Sequence, residues 1–166
     1  NRLKNYKTNS PLVESKDNAN NWPYYRKDSL RNNASEESIE KNLKLSWNKK
    51  IGKSKLTQAS VFNGLVYVGS KQGSQVYAYN ENNGELVWSF YADGSILSTP
   101  SIDGNYCLVG TGSGYVHCLN AKTGEQVWDL RAAPVQKYIG DRDKLDSSWP
   151  VQGSILIKNK IAYFSV

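Results

Sequence analysis

The apolar and polar positions of this chain sort into short blocks, not long stripes. From residue 57 onward, runs rich in Val, Tyr, Leu and Ile are each closed by Gly, Asn, Asp or Ser, the residues that turn a chain back on itself. This predicts four strands in a first unit (57–62, 65–69, 75–80, 85–91) and four in a second (97–102, 106–110, 115–120, 125–131). A third unit starts with strands at 151–157 and 161–166. Within Val66-Tyr67-Val68 and Val76-Tyr77-Ala78-Tyr79 the pattern does not alternate cleanly, so both faces of these sheets are expected to be covered.

The units are copies of one another. Trp47, Trp88 and Trp128 recur at steps of 41 and 40 residues, and Gly64/Gly104, Val76/Val116, Asn80/Asn120 and Gly84/Gly124 keep the 40-residue step. A repeat of that period, with one large indole per unit, predicts four-stranded sheets packed radially. The indoles at 47, 88 and 128 are then expected to be structural, each docking the outermost strand into the wedge between neighbouring sheets.

Two stretches carry a specific wording. VYVGSKQGSQVYAYNENNGELVW at 66–88 and CLVGTGSGYVHCLNAKTGEQVW at 107–128 resemble the quinoprotein, or PQQ-like, propeller repeat, in which a Gly turn, a small core, Thr-Gly-Glu/Lys and Trp recur in every blade. WPYYRKDSLRNNAS at 22–35 is similar to the segment that leads into the first blade of many such proteins. The resemblance covers 21–166 and implies an all-β propeller of about two and a half blades, with a ring that this chain does not close alone. Residues 1–42 are expected to be a polar extension with the leading segment. The expected layout beyond it is a blade strand at 43–50, blades at 57–91 and 97–131, an insertion at 132–149 and a partial blade at 150–166. A second polypeptide or a further stretch of chain is expected to complete the ring.

Net charge is +6, yet Lys and Arg are scattered among Asp and Glu, a pattern that argues against nucleic acid and for a solvated surface. No apolar run approaches the 18 or more residues of a membrane-spanning helix. In a meander of four strands, the turns at 70–74 and 111–114 share one end of the sheets with the crossings at 92–96 and 132–150. About 15 residues have been inserted into the last of these, where rigid repeats usually carry function. Its Arg131, Lys137, Tyr138, Asp141, Arg142, Asp143, Asp146 and Trp149 mix charge with aromatic area and form a candidate partner-binding loop; a solvated loop anchored by Trp149 and Pro150 is the plainer alternative. The spacing of Asp141, Asp143 and Asp146 lacks the Gly and terminal Glu of a calcium loop, so no metal ligand is assigned.

If the hairpin turns through 111–114 with Gly110 opposite Tyr115, Cys107 faces Cys118, and two states fit: a disulfide in an oxidising compartment, or two small buried thiols. His117, the one histidine, is expected in the core. No nucleophile-and-base pair is apparent, and no catalytic residue or cofactor is assigned.

The resemblance therefore implies a non-catalytic binding or scaffolding propeller, exported to the periplasm or cell surface, that holds protein partners through its top-face loops. As alternatives to that reading it admits a quinone-dependent dehydrogenase with PQQ and calcium on the axis, or an accessory propeller of a larger enzyme. Such dehydrogenases stack the quinone between a Trp and, in many, a disulfide of adjacent cysteines, and this sequence has no adjacent cysteine pair.

Overall fold

The computed structural model describes residues 2–9, 21–35, 38–39, 41–52, 54–141 and 144–166. It is all-β. The first repeat forms a four-stranded antiparallel sheet of β2 (Ser60–Phe62), β3 (Leu65–Ser70), β4 (Gln75–Asn80) and β5 (Leu86–Tyr91) in sequential order. The second repeats it as β6 (Ser101–Asp103), β7 (Tyr106–Gly110), β8 (Tyr115–Asn120) and β9 (Gln126–Arg131). Strands β12 (Gln152–Lys158) and β13 (Ile161–Ser165) pair as a third sheet.

Local chemistry explains the recurring residues. The β2–β3 turn places Asn63 and Gly64 at φ 49° and 74°, the doubly left-handed hairpin turn that suits the twist of two strands. At the turn between the third and fourth strand of each repeat, Asn80 Oδ1 accepts from the backbone N–H of Asn82 at 2.9 Å, and Asn120 Oδ1 accepts from that of Lys122 at 2.9 Å. Each asparagine holds its turn by mimicking a backbone carbonyl, which is why it recurs at the 40-residue step.

The sheets stack face to face. Phe62, Tyr67, Val76, Ala78 and Trp88 of the first sheet pack on Ile102, Cys107, Val109 and Leu119 of the second. Leu108, Val116 and Cys118, on the opposite face of the second sheet, pack on Val151, Ile155 and Ile157 of the third. The second sheet is therefore buried on both sides. Innermost strands are also stitched across the interfaces: Ser60 Oγ donates to Pro100 O at 2.9 Å and Ser101 Oγ to Ile155 O at 2.6 Å.

Close approach of the sheets needs glycine at one position per repeat. A Cβ on Gly69 would lie 2.4 Å from Ile96 Cγ2, and one on Gly110 would lie 2.5 Å from Val151 Cγ1. We expect Gly110→Ala to lower unfolding stability by about 1–2 kcal/mol through overpacking, whereas Gly140→Ala, with open space around it, changes it by less than about 0.5 kcal/mol. Urea denaturation of the two variants checks this; equal midpoints would contradict it.

Three expectations are corrected. First, the second repeat pairs Gly110 with Val116, not with Tyr115, so Cys107 lies opposite Leu119 and Cys118 opposite Leu108. Because a strand's side chains alternate, this one-residue change sends the cysteines to opposite faces of the sheet, and both are free thiols in separate cores. Burial pushes the Cys118 thiol up to about 12 and the Cys107 thiol higher still, so neither is a ready thiolate.

Second, residues 43–50 form no strand, because no described segment runs beside them to supply a ladder. Third, the N-terminal region is more than a polar extension. β1 (Leu3–Asn5) adds to the outer edge of β9 as a fifth strand, pairing Leu3 with Leu130 and Asn5 with Trp128. Further along, Trp22 bridges Val61 of the first sheet, Pro23 O accepts from Ile102 N of the second at 2.9 Å, and Arg31 reaches Ser154 O of the third. Residues 22–31 thus cross the inner edges of three successive sheets.

Candidate partner-binding face

One end of the sheets is a continuous layer of turns. The crossing after the first sheet packs on the β7–β8 turn, where Gly112 N donates to Ser95 O at 2.9 Å and a Cβ on Gly94 would lie 2.8 Å from Ser113 N. That turn in turn receives the insertion: Ser147 N donates to Gly112 O at 3.0 Å and Val151 N to Thr111 O at 3.0 Å. Glycines at 112 and 114 let the backbones meet, since a Cβ on Gly114 would lie 2.7 Å from Trp149 O.

The insertion itself is a β-hairpin, β10 (Tyr138–Asp141) and β11 (Lys144–Ser147), which pairs Tyr138 with Ser147 and Ile139 with Asp146. Its base is fixed by Ser148 N donating to Lys137 O at 2.7 Å and by the buried Ser147. Above that base, Val135, Tyr138 and Ile139 are each more than half exposed, and Trp149 is 40% exposed. Lys137 is exposed beside them, and Asp146 is half-buried. Arg142 and Asp143 lie outside the described residues. Asp141 contributes its backbone to the hairpin, and Arg131 stands apart at the end of β9, opposite Tyr115, where its carbonyl accepts from Arg2 Nε at 2.9 Å.

Beneath the face runs a polar network that sequence inspection missed except for His117. His117 is buried on β8, with Nε2 2.9 Å from Asp93 Oδ1 and Nδ1 2.9 Å from Gln126 Nε2. Gln126 Nε2 also lies 3.5 Å from Asp129 Oδ2, which accepts from the Tyr6 hydroxyl at 2.5 Å. Polar contacts therefore link the added N-terminal strand to the crossing between the first two sheets. Burial acts to raise the Asp93 carboxyl, but hydrogen bonds and charge from His117, with Ser113 and Thr111, outweigh it and hold the group below its ordinary value. The Tyr6 hydroxyl is raised, chiefly by its hydrogen bond to Asp129. Asp93-Gly94 sits at a crossing between repeats, and that placement was the one sequence signal for its role.

The indoles have defined receptors. Trp47 Nε1 donates to Glu81 O at 2.7 Å and Trp88 Nε1 to Ala121 O at 2.9 Å, each ring lying over a glycine, Gly84 or Gly124. Trp128 packs half-buried against the third sheet. The Trp47 and Trp88 rings rest on turns, Trp128 packs against the third sheet, and the cysteines are in separate cores. The described residues therefore do not fit a quinone stacked between a Trp and a cysteine pair. Among the described residues no group of three His, Cys, Asp or Glu side chains converges to hold a metal ion.

Stacked Trp-bearing sheets of this kind define a partial propeller of the PQQ-like repeat class. The family model described as outer membrane protein assembly factor BamB matches residues 40–144, more than half of the chain, and the chain belongs to that family. Among curated relatives, the outer membrane protein assembly factor BamB of Yersinia pestis is 35% identical over 65 residues, 39% of this chain and 16% of the relative. A tetrathionate hydrolase of Acidithiobacillus ferrooxidans is 35% identical over 72 residues, 43% of this chain and 13% of the relative. The chain thus spans less than a fifth of these relatives' length. Among solved structures, a quinohemoprotein alcohol dehydrogenase from Comamonas testosteroni superposes with a TM-score of 0.71 at 19% identity, over 86% of this chain and 22% of that one. BamB from Moraxella catarrhalis gives 0.56 at 20% identity, over 72% of this chain and 33% of that one. At such identities these two likenesses establish the fold.

Proposed function

We propose that this protein is a non-catalytic propeller scaffold, exported to the periplasm or cell surface, that holds a protein partner through its turn-bearing face. The observation that carries this reading is the hairpin of β10 and β11, whose Tyr138 and Ile139 stand in solvent above a base bonded to the rigid β7–β8 turn. Exposed apolar and aromatic side chains on a fixed support are the usual anchors of protein interfaces, because burying them on contact is favourable and little order remains to be imposed. Kinship with outer membrane protein assembly factors supports a partner in envelope assembly. In this role Trp47, Trp88 and Trp128 are structural dockers, and the remainder of the ring comes from further polypeptide.

The experiment is affinity purification of the tagged native protein from envelope extracts, beside Ile139→Asp and Trp149→Ala. A stoichiometric partner is expected with the parent and is expected to fall by about tenfold or more with each variant, as loss of an interface anchor predicts. Undiminished recovery with both variants would remove the hairpin from the role. Saturable uptake of PQQ and calcium with dye-linked alcohol oxidation would replace the scaffold reading with the dehydrogenase one.

A further inference from the structure

A cleft of about 340 Å³ opens on the inner side of the sheets, between the segment 22–31 and the leading ends of three innermost strands. Its walls carry two cations, Arg31 and Lys71, and the hydroxyls of Thr57, Ser98, Thr99 and Ser154; none of its lining residues is acidic. Neither cation takes part in an ion pair among the described residues, where the two pairs are His117–Asp93 and Lys160–Asp103. Arg31 makes one long hydrogen bond, 3.4 Å to Ser154 O, which leaves most of its donors open. The hydroxyls of Ser98, Thr99 and Ser154 have no hydrogen-bond partner among the described residues.

The segment that brings Arg31 here is held in an unusual shape. Arg26, Lys27, Arg31 and Asn33 all have φ between 55° and 74°, a left-handed conformation that costs about 1 kcal/mol or more for each non-glycine residue. Asp28 fixes the turn, accepting from Asn32 N at 3.1 Å and from Asn32 Nδ2 at 3.0 Å, while Arg26 and Arg31 lie over the Tyr25 ring at 5.4 and 5.6 Å. Strain of that kind persists where the surroundings impose one arrangement, and here that arrangement sets a guanidinium in the same hydroxyl-lined cleft as a lysine.

We propose that this cleft is a binding site for a small, multiply charged anion of the carboxylate or oxoanion class. Arg31 grips it through its planar fork, Lys71 supplies a second charge from the β3–β4 turn, and the free hydroxyls of Ser98, Thr99 and Ser154, from the second and third sheets, donate to its remaining oxygens. Because the site draws on repeat-equivalent positions, its shape depends on the sheets being stacked as observed. It does not rest on the partner-binding role of the β10–β11 hairpin.

Isothermal titration of the full chain with citrate and, separately, with inorganic phosphate in low-salt buffer tests this, with sodium chloride of matched ionic strength as the blank. Saturable binding of at least one probe is expected, and which one binds distinguishes the carboxylate from the oxoanion source. Arg31→Gln and Lys71→Gln are each expected to weaken it by about tenfold or more, and Lys122→Gln, remote from the cleft, to leave it unchanged. Absence of saturable binding by both probes would overturn the proposal, as would an equal loss in Lys122→Gln, which would reduce the effect to net charge.

Discussion

Trp88→Ala is expected to destabilise the protein by about 3–5 kcal/mol, lowering the thermal midpoint by roughly 10 °C. The indole is buried at the interface of the first two sheets, 5.9 Å from the Tyr67 ring, and its Nε1 donates to the Ala121 carbonyl that the Tyr67 hydroxyl also bonds. Truncation therefore opens a ring-sized cavity and removes one of two donors from a buried carbonyl. Gly124 provides an independent check, because a Cβ there would lie 2.7 Å from the indole, and its φ of 75° also disfavours a side chain. Gly124→Ala should destabilise on its own, but much of that cost should vanish in the Trp88→Ala background, where no ring remains to collide with. Calorimetry on the four members of this cycle should give a clearly non-additive total. Strict additivity would mean that the indole does not rest on that turn.

Much of this arrangement was legible in the chain because the repeat writes it twice. Asn80 and Asn120 cap equivalent turns, Gly84 and Gly124 lie under equivalent indoles, and β4, β7 and β8 begin and end at the residues that the turn formers marked. Register was the weak point. Thr111 and Tyr115 still pair, Thr111 N donating to Tyr115 O at 2.9 Å, so the loop is one residue tighter than composition suggested and every inference about facing side chains shifted with it. The additions were invisible for a different reason. Nothing in Arg2-Leu3-Lys4-Asn5 alternates, and its partner Leu130 is far along the chain; the ladder itself, the Tyr6–Asp129 contact and the Arg2 guanidinium's bonds to the Arg131 and Ala132 carbonyls explain why it settles there. Leu45 and Trp47 look like an outer strand, yet a strand needs a neighbour, and sequence windows do not report one.

Counting strands fixes which turns share an end with the insertion, but it did not fix the content of the face proposed for partner binding. The mixture of charged and aromatic residues there suggested a loop, partner-binding or simply solvated, whereas two strands form and present Tyr138 and Ile139 from a paired backbone. The network below it was equally hidden, since Asp93 belongs to the crossing between repeats and meets His117 and Gln126, on two adjacent strands of the second sheet, only when the sheets stack.

That stacking makes His117→Leu the second informative substitution. With the acceptor-only Asp93 carboxylate 2.9 Å from Nε2, that ring nitrogen carries a proton and donates to it, while the Gln126 amide lies at Nδ1. Phe90 and Tyr115 flank the ring at 5.5 and 6.2 Å, so leucine can occupy the space while donating nothing. Removing the donor leaves the partly buried Asp93 carboxylate short of its main partner, at an expected cost of about 2–3 kcal/mol near neutral pH. The pH dependence has a definite sign. Asp93 sits below its ordinary 3.8 in the folded state, so its contribution is fully present above that value and is lost as pH falls through the lower folded one. In His117→Leu the balance tips towards desolvation, the Asp93 carboxyl rises, and the gap to the parent protein should narrow as acid neutralises the unpaired carboxylate. Urea unfolding of the parent, His117→Leu and His117→Leu/Asp93→Asn at neutral and acid pH separates the terms: the double variant should recover part of the loss at neutral pH and show a flatter acid limb. A loss in His117→Leu that is the same at every pH, and untouched by Asp93→Asn, would mean that packing alone holds this histidine between the sheets.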